Sequence, residues 1–223
     1  MRAIDLTERR LIESMEADGW EHVARADGDV VSFVRPASPE ILHSVSVDLT
    51  EDDYSIQANP ALGAVHPETS RLNARFLGRS DRPGAATAMV GAALQDLMPA
   101  GSSPLLPITR WGVVSADDID GAVNALQADV ADYGQPFLRP LQTLDDCIGH
   151  LQRTDRYYAQ DQHLATALAL QDRVPEALQV LEQFAAQAAD HPPFFIQRGR
   201  LFVRSFLEHF GIDPTAVRFA LGS

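Results

Sequence analysis

The period of the hydrophobic pattern changes along this chain, and that change limits the folds open to it. Between residues 20 and 59 apolar side chains recur at every second position, whereas from Ser115 onward they recur at helical spacing. The clearest segment is 41–49. Ile41, His43, Val45, Val47 and Leu49 share one face, and Leu42, Ser44, Ser46 and Asp48 share the other. A strand with one apolar and one polar face belongs to an antiparallel sheet that is wet on one side. Glu51-Asp52-Asp53 turns this strand into a fourth, in which Tyr54, Ile56 and Ala58 alternate with Ser55, Gln57 and Asn59. Upstream, residues 20–26 and 30–35 flank Asp27-Gly28-Asp29, the tight-turn chemistry of a hairpin. None of these connections holds a crossover helix. The predicted fold class is therefore α+β: a mostly antiparallel four- to five-stranded sheet with an N-terminal helix, followed by a C-terminal helical region.

Helix signals bracket the sheet. Asp5 can cap a helix over 6–18, with Glu8 three residues on, Leu11, Ile12 and Met15 as its apolar face and Gly19 as its stop. Residues 67–77 read as a weak helix ending at Gly78, 79–84 as a mobile loop, and 99–107 as a connector. Val90, Leu94 and Leu97 fall at helical spacing and predict a short helix over 89–98, and 108–114 around Trp111 reads as a further strand. Ser115-x-x-Asp118 is a capping box for a helix carrying Ile119, Val123, Leu126, Val130 and Tyr133, which Gly134 closes. Thr143-x-x-Asp146 caps another, with Leu144, Ile148 and Leu151 inward. A helical hairpin follows over 157–171 and 175–189, then a helix over 193–210 ended by Gly211, and a last short helix begins at Asp213-Pro214. Two domains are expected: an α+β domain over 1–153, and a helical extension over 154–223 packed on it.

Charge narrows the function classes. All 18 basic side chains are arginine, against 31 Asp and Glu, for a net charge of −13. Without lysine there is no P-loop lysine, no Schiff-base lysine and no kinase strand lysine. Asn is scarce too (Asn59, Asn73, Asn124), which favours codon bias in a GC-rich genome, where both residues are depleted together, over the alternative of selection against lysine-directed tagging or acetylation. The acidic balance argues against nucleic acid and against an anionic membrane surface as partners, and fits a basic protein partner. Residues 1–20 carry eight charged side chains and no apolar signal core, and the single Cys147 forms no internal disulfide, so a cytoplasmic location is expected.

Candidate chemistry is sparse. Cys147 and His150 lie three apart on one predicted helix beside Asp146, but a working triad draws its members from different elements. Cys147 is instead expected to be a half-buried thiol beside a surface histidine. The other histidines show no metal-ligand spacing, and His43 reads as a satisfied core residue. No catalytic residue, metal ligand or cofactor is expected, and the protein is read as a non-enzyme. The carboxylate clusters Glu51, Asp52, Asp53 and Asp117, Asp118, Asp120 are explained by a turn tip and a helix N-terminus; as a functional surface they would dock a basic partner. The alternatives are a small-ligand protein or enzyme with an arginine-lined cleft, using Arg35, Arg75 or Arg110 for a carboxylate or phosphate, and a helical scaffold or dimerisation module.

Several elements in order resemble the bacterial domain of unknown function 4304 family. They are the step Gly19-Trp20, the strand with Phe33 and Arg35, and Arg110-Trp111-Gly112 leading to a capped acidic helix. The turn Pro136-Phe137-Leu138 and the helix starting at Thr143 complete the series. The likeness covers about residues 8–153; the stretch 78–107 and the absence of lysine depart from the family pattern. It implies a binding role of the accessory or immunity type. Residues 165–182 also look like a single tetratricopeptide-like hairpin, where a solenoid needs three.

One feature bears on assembly. Phe195, Phe202, Phe206 and Phe210 approximate a single stripe that must be buried, either inside the tail or against a second copy. Burial within the tail is favoured, hence a monomer over a homodimer.

Overall fold

The computed structural model describes residues 2–23, 30–79, 87–99, 110–153, 156, 158–188 and 192–217. The fold is α+β, with a five-stranded antiparallel sheet whose strands lie in sequence order. The chain divides into two compact units, Met1–Val65 with Gly91–Gln142, and His66–Val90 with Thr143–Ser223. This grouping differs from a cut at residue 153, because the segment after the fourth strand and the helix following Thr143 both join the C-terminal helices.

In the first unit, α1 (Ala3–Ala17) starts one turn earlier than the sequence predicts. Arg2 occupies the N-cap and its backbone N–H donates to Asp5 Oδ2 at 3.1 Å, so Asp5 serves from inside the first turn instead of capping it. Gly19, at φ +83°, ends the helix in the left-handed region that favours glycine. Strands β1 (Glu21–Val23) and β2 (Val30–Pro36) pair antiparallel with His22 opposite Phe33; their connecting turn at 27–29 lies outside the described residues. Strand β3 (Leu42–Glu51) alternates as read, with Val45 and Val47 fully buried. On the other face the Ser32 and Ser46 hydroxyls meet at 3.3 Å, and Ser44 Oγ donates to the Gly63 carbonyl.

Strand β4 (Ile56–Val65) runs six residues past the Asn59 at which the alternation stops being legible, and pairs with β3 along its whole length, Val47 facing Pro60 and Leu42 facing Val65. The helix predicted over 89–98 is a correction: Val90–Ala93 is the edge strand β5, and only Leu94–Leu97 (α3) is helical. Of the strand predicted over 108–114, residues 108–109 lie outside the described ones, and the rest makes a single bridge, Val113 to Ile56. The capping box forms: Ser115 N donates to Asp118 Oδ2 at 2.8 Å and leads through one 3₁₀ turn into α4 (Ile119–Asp129).

Gly134 does not close this helix. The chain passes through a π turn at Val130–Gly134 and continues as α5 (Gln135–Leu138). Pro136 has no N–H to return to the preceding turn, and a local i→i+5 pattern absorbs that loss. Helices α1 and α4 pack on each other and, with Trp20, Phe33, Val45, Trp111 and Leu126, build this unit's core. At the end of α4 Asp129, 2% exposed, accepts from Trp111 Nε1 at 2.9 Å and from Arg110 Nε at 2.8 Å.

The second unit is helical: α2 (Pro67–Phe76), α6 (Leu144–Arg153), α7 (Tyr158–Leu170), α8 (Val174–Ala188) and α9 (Pro193–His209). His66 caps α2, its Nδ1 accepting from Thr69 N at 3.1 Å, and Gly78 at φ +65° ends it. The Thr143–Asp146 box starts α6 as expected. Only part of the phenylalanine stripe is buried inside this unit: Phe202 and Phe206 have no exposed surface, and Phe210 is half-buried. Their rings meet Phe76 of α2 edge-on at 5.6 and 5.9 Å, and Phe202 meets Phe184 of α8 at 6.0 Å. Such pairs add about 0.5–1.5 kcal/mol each beyond the area they bury. Phe194 and Phe195, at the start of α9, stay exposed.

Candidate functional site

The two acidic clusters belong to the sheet unit, and one hydrogen-bonded pair relates them. Ile56 and Val113 exchange both backbone bonds at 2.8 Å, antiparallel. Asp53 lies three residues before Ile56 and Asp117 four residues after Val113, so both acidic segments leave the same end of the sheet. Between them Tyr54 and Val114 are 83% and 62% exposed, an unusual pair of large apolar side chains for so charged a neighbourhood.

Individual carboxylates in these clusters differ in employment. Asp52 accepts from the backbone of Tyr54 and Ser55, both at 2.8 Å, and these bonds hold its carboxyl below the usual carboxylate range. Asp118 is held low in the same direction by the Ser115 hydroxyl and backbone. Asp120 pairs with Arg10 of α1 at 2.8 Å. Glu51, Asp53 and Asp117 are fully on the surface. All six lie on the surface, but Asp52, Asp118 and Asp120 also shape the fold.

The arginines singled out for an anion site are distributed. Arg35 stacks over the Trp20 ring at 4.4 Å and Arg110 pairs with Asp129, both in the sheet unit; Arg75 is exposed on α2 in the helical unit. Cys147 is completely buried on α6, inaccessible to a substrate. His43 is a core histidine: its Nε2 lies 3.0 Å from the Leu141 carbonyl, and burial pushes its pKa down. No group of three or more His, Cys, Asp or Glu able to hold a metal occurs among the described residues. Among those residues no helix is long and apolar enough to cross a membrane.

A feature that escapes the sequence lies in the helical unit. Helix α7 packs against α2, α6 and α8. It therefore buries Gln160, Asp161, Gln162, His163 and Thr166 along with its alanines and leucines. Asp161 is answered by Arg156 at 2.7 Å. Beside α7 a cavity of about 250 Å³ is lined by residues of α2, α7 and α9 and the segment after α2, with Asn73, Gln162 and His163 on its wall and Arg79 and Arg198 among its charged groups. Asn73 and His163 are 5% and 4% exposed, yet Asn73 Nδ2 and His163 Nδ1 have no hydrogen-bond partner among the described residues. Burial pushes the His163 pKa down to about 4, so the ring is neutral at physiological pH. In the sequence the run Gln160-Asp161-Gln162-His163 reads as a solvated helix face, and no periodicity marks it as interior.

No family model, no curated protein and no solved structure matches this chain.

Proposed function

We propose that this protein is a non-enzymatic interaction protein that docks a basic protein partner on the acidic, aromatic-tipped end of its sheet unit. The observation that carries the reading is the Ile56–Val113 pair, from which the 51–53 turn and the 117–120 helix start both emerge with Tyr54 and Val114 exposed between them. Carboxylates around an apolar centre match what interfaces use: a desolvating aromatic anchor within a charged rim that steers a partner of opposite sign. A net charge of −13 adds a long-range field of the right sign. The resemblance to the domain of unknown function 4304 family, with its implied accessory or immunity role, points the same way.

The test is a photo-crosslinking side chain at position 54, used in an extract of cells of the source organism. The expected adduct is a protein whose captured surface is basic. Its yield falls about tenfold between roughly 0.05 and 0.5 M salt, and is lost when Asp53→Arg and Asp117→Arg are combined. An adduct indifferent to both salt and charge reversal, or no adduct at all, overturns the reading.

A further inference from the structure

We propose that the helical unit carries a second docking surface, on α9, and that its partner is the acidic end of the sheet unit in a second copy of this chain. The proposal rests on the reading of that end as a docking surface and names a basic partner for it.

Five large apolar side chains are exposed among the described residues, and they fall into two groups. Tyr54 and Val114 stand among the carboxylates of the sheet unit. Phe194, Phe195 and Leu201 stand on α9, 59%, 43% and 44% exposed. Leu201 lies seven residues after Phe194, two helical turns on, so the two share one face. Arginine surrounds them. The Arg198 guanidinium stacks over the Phe194 ring at 5.4 Å, and Arg204 follows one turn beyond Leu201. The end of α2 adds another: a Cβ on Gly78 would lie 3.8 Å from Leu201 Cδ2, and the next residue, Arg79, lines one cavity with Phe195 and Arg198. Arg79 and Arg204 are exposed and make no ion pair among the described residues.

Charge divides along the chain in the same way. The sheet unit holds 19 of the 31 acidic residues and 7 of the 18 arginines, whereas the helical unit holds 12 and 11. Nearly all of the net negative charge therefore belongs to the sheet unit, and the helical unit presents arginine where α9 is apolar. Each surface matches the other, apolar centre to apolar centre and carboxylate rim to guanidinium rim. The planar guanidinium fork is suited to carboxylates. Two different surfaces of one chain make a heterologous contact, so copies join head to tail and the assembly extends unless it closes into a ring. The contact leaves the buried Phe202 and Phe206 untouched and is distinct from a two-fold dimer through the phenylalanine stripe.

The test is light scattering of the full chain across concentration, with two variants that alter exposed residues alone. The wild-type mass should rise above the 24.4 kDa of one copy with a Kd of about 10–100 µM, and association should weaken about tenfold between roughly 0.05 and 0.5 M salt. Tyr54→Ser with Asp117→Asn removes the acidic surface, and Phe194→Ser with Arg204→Gln removes the arginine surface. Each variant by itself should stay a monomer. Mixed in equal amounts they should pair one to one and stop at the mass of two copies, because each keeps the surface that the other lacks. Neither an unfolded variant nor a two-fold interface can give that result. A wild-type chain that stays monomeric at about 200 µM, association that either variant leaves intact, or variants that fail to pair on mixing each overturns the proposal. Capture of a different basic protein at position 54 by a monomeric chain would overturn it while leaving the docking surface of the sheet unit in place.

Discussion

The Thr166 hydroxyl on α7 donates to Asn73 Oδ1 on α2 at 2.6 Å, with both residues buried. This bond ties two helices separated by 93 residues and settles the orientation of the Asn73 amide. Thr166→Val keeps the shape but leaves Asn73 Oδ1 unanswered, and should destabilise the helical unit by about 1–3 kcal/mol in urea unfolding. Thr166→Val combined with Asn73→Leu removes both polar groups, including the unpartnered Nδ2, and should be no less stable than Thr166→Val alone. A double variant that loses the sum of the two single effects would show that the pair does not act as a unit.

Gly134 sits where the π turn passes β4 so closely that a Cβ would run into the Leu62 side chain. Gly134→Ala should cost about 1–3 kcal/mol through overpacking, and less than that in a Leu62→Ala background where the space is vacant. Gly121, in the same helical run, has open space at its Cβ position, and Gly121→Ala should stabilise by about 0.5–1 kcal/mol. Thermal unfolding of the three variants gives the comparison; equal effects at 121 and 134 would refute the close approach.

How far the sequence shows this depends on which signal each residue depends on. Strand β3 was legible because one face is buried and the other polar, so period two is written into its residues. The far half of β4 was not, because Pro60 and Gly63 read as breaks in a strand interior although the ladder to β3 carries both. Val90-Gly91-Ala92-Ala93 has little strand character of its own, and it forms β5 by pairing at the sheet edge, a tertiary effect no local spacing reports. Caps built from neighbouring residues, Ser115–Asp118 and Thr143–Asp146, were legible for the opposite reason.

The acidic clusters were visible as composition, but their common origin at Ile56–Val113 depends on a pairing across 57 residues. The cavity beside α7 was hidden most completely. A helix enclosed by several others loses the polar stripe that betrays orientation, so Asn73, His163 and Arg198 share a wall without any spacing to connect them.

Asp129 offers a sharper stability test than any exposed ion pair. It is 2% exposed and accepts from both Trp111 Nε1 and Arg110 Nε. Asp129→Ala leaves the buried indole N–H unanswered and should destabilise the sheet unit by about 2–4 kcal/mol, whereas Arg110→Ala, half exposed, should cost under about 1 kcal/mol. Tryptophan fluorescence during urea unfolding separates the two, because Trp111 reports directly on the site.

The pH dependence of stability should carry the mark of His163. Burial pushes its pKa down to about 4 in the folded state against 6.5 when exposed, and burial also lowers His43 and His150. Between those values the unfolded chain binds a proton that the folded chain refuses, so stability rises with pH across this window. The contribution is fully present above pH 6.5 and is lost progressively as pH falls toward 4. For His163 alone it amounts to roughly 3 kcal/mol at one pKa unit per 1.36 kcal/mol. The capping carboxylates Asp52 and Asp118 are themselves held low, so their effect falls in a more acidic range and does not mask the histidine window. Urea unfolding of the wild-type chain at pH 7.5, 6.0 and 5.0 should therefore show a falling midpoint, and His163→Gln should flatten most of the slope. An unchanged slope in that variant would place the acid sensitivity elsewhere and require His163 to be open to solvent.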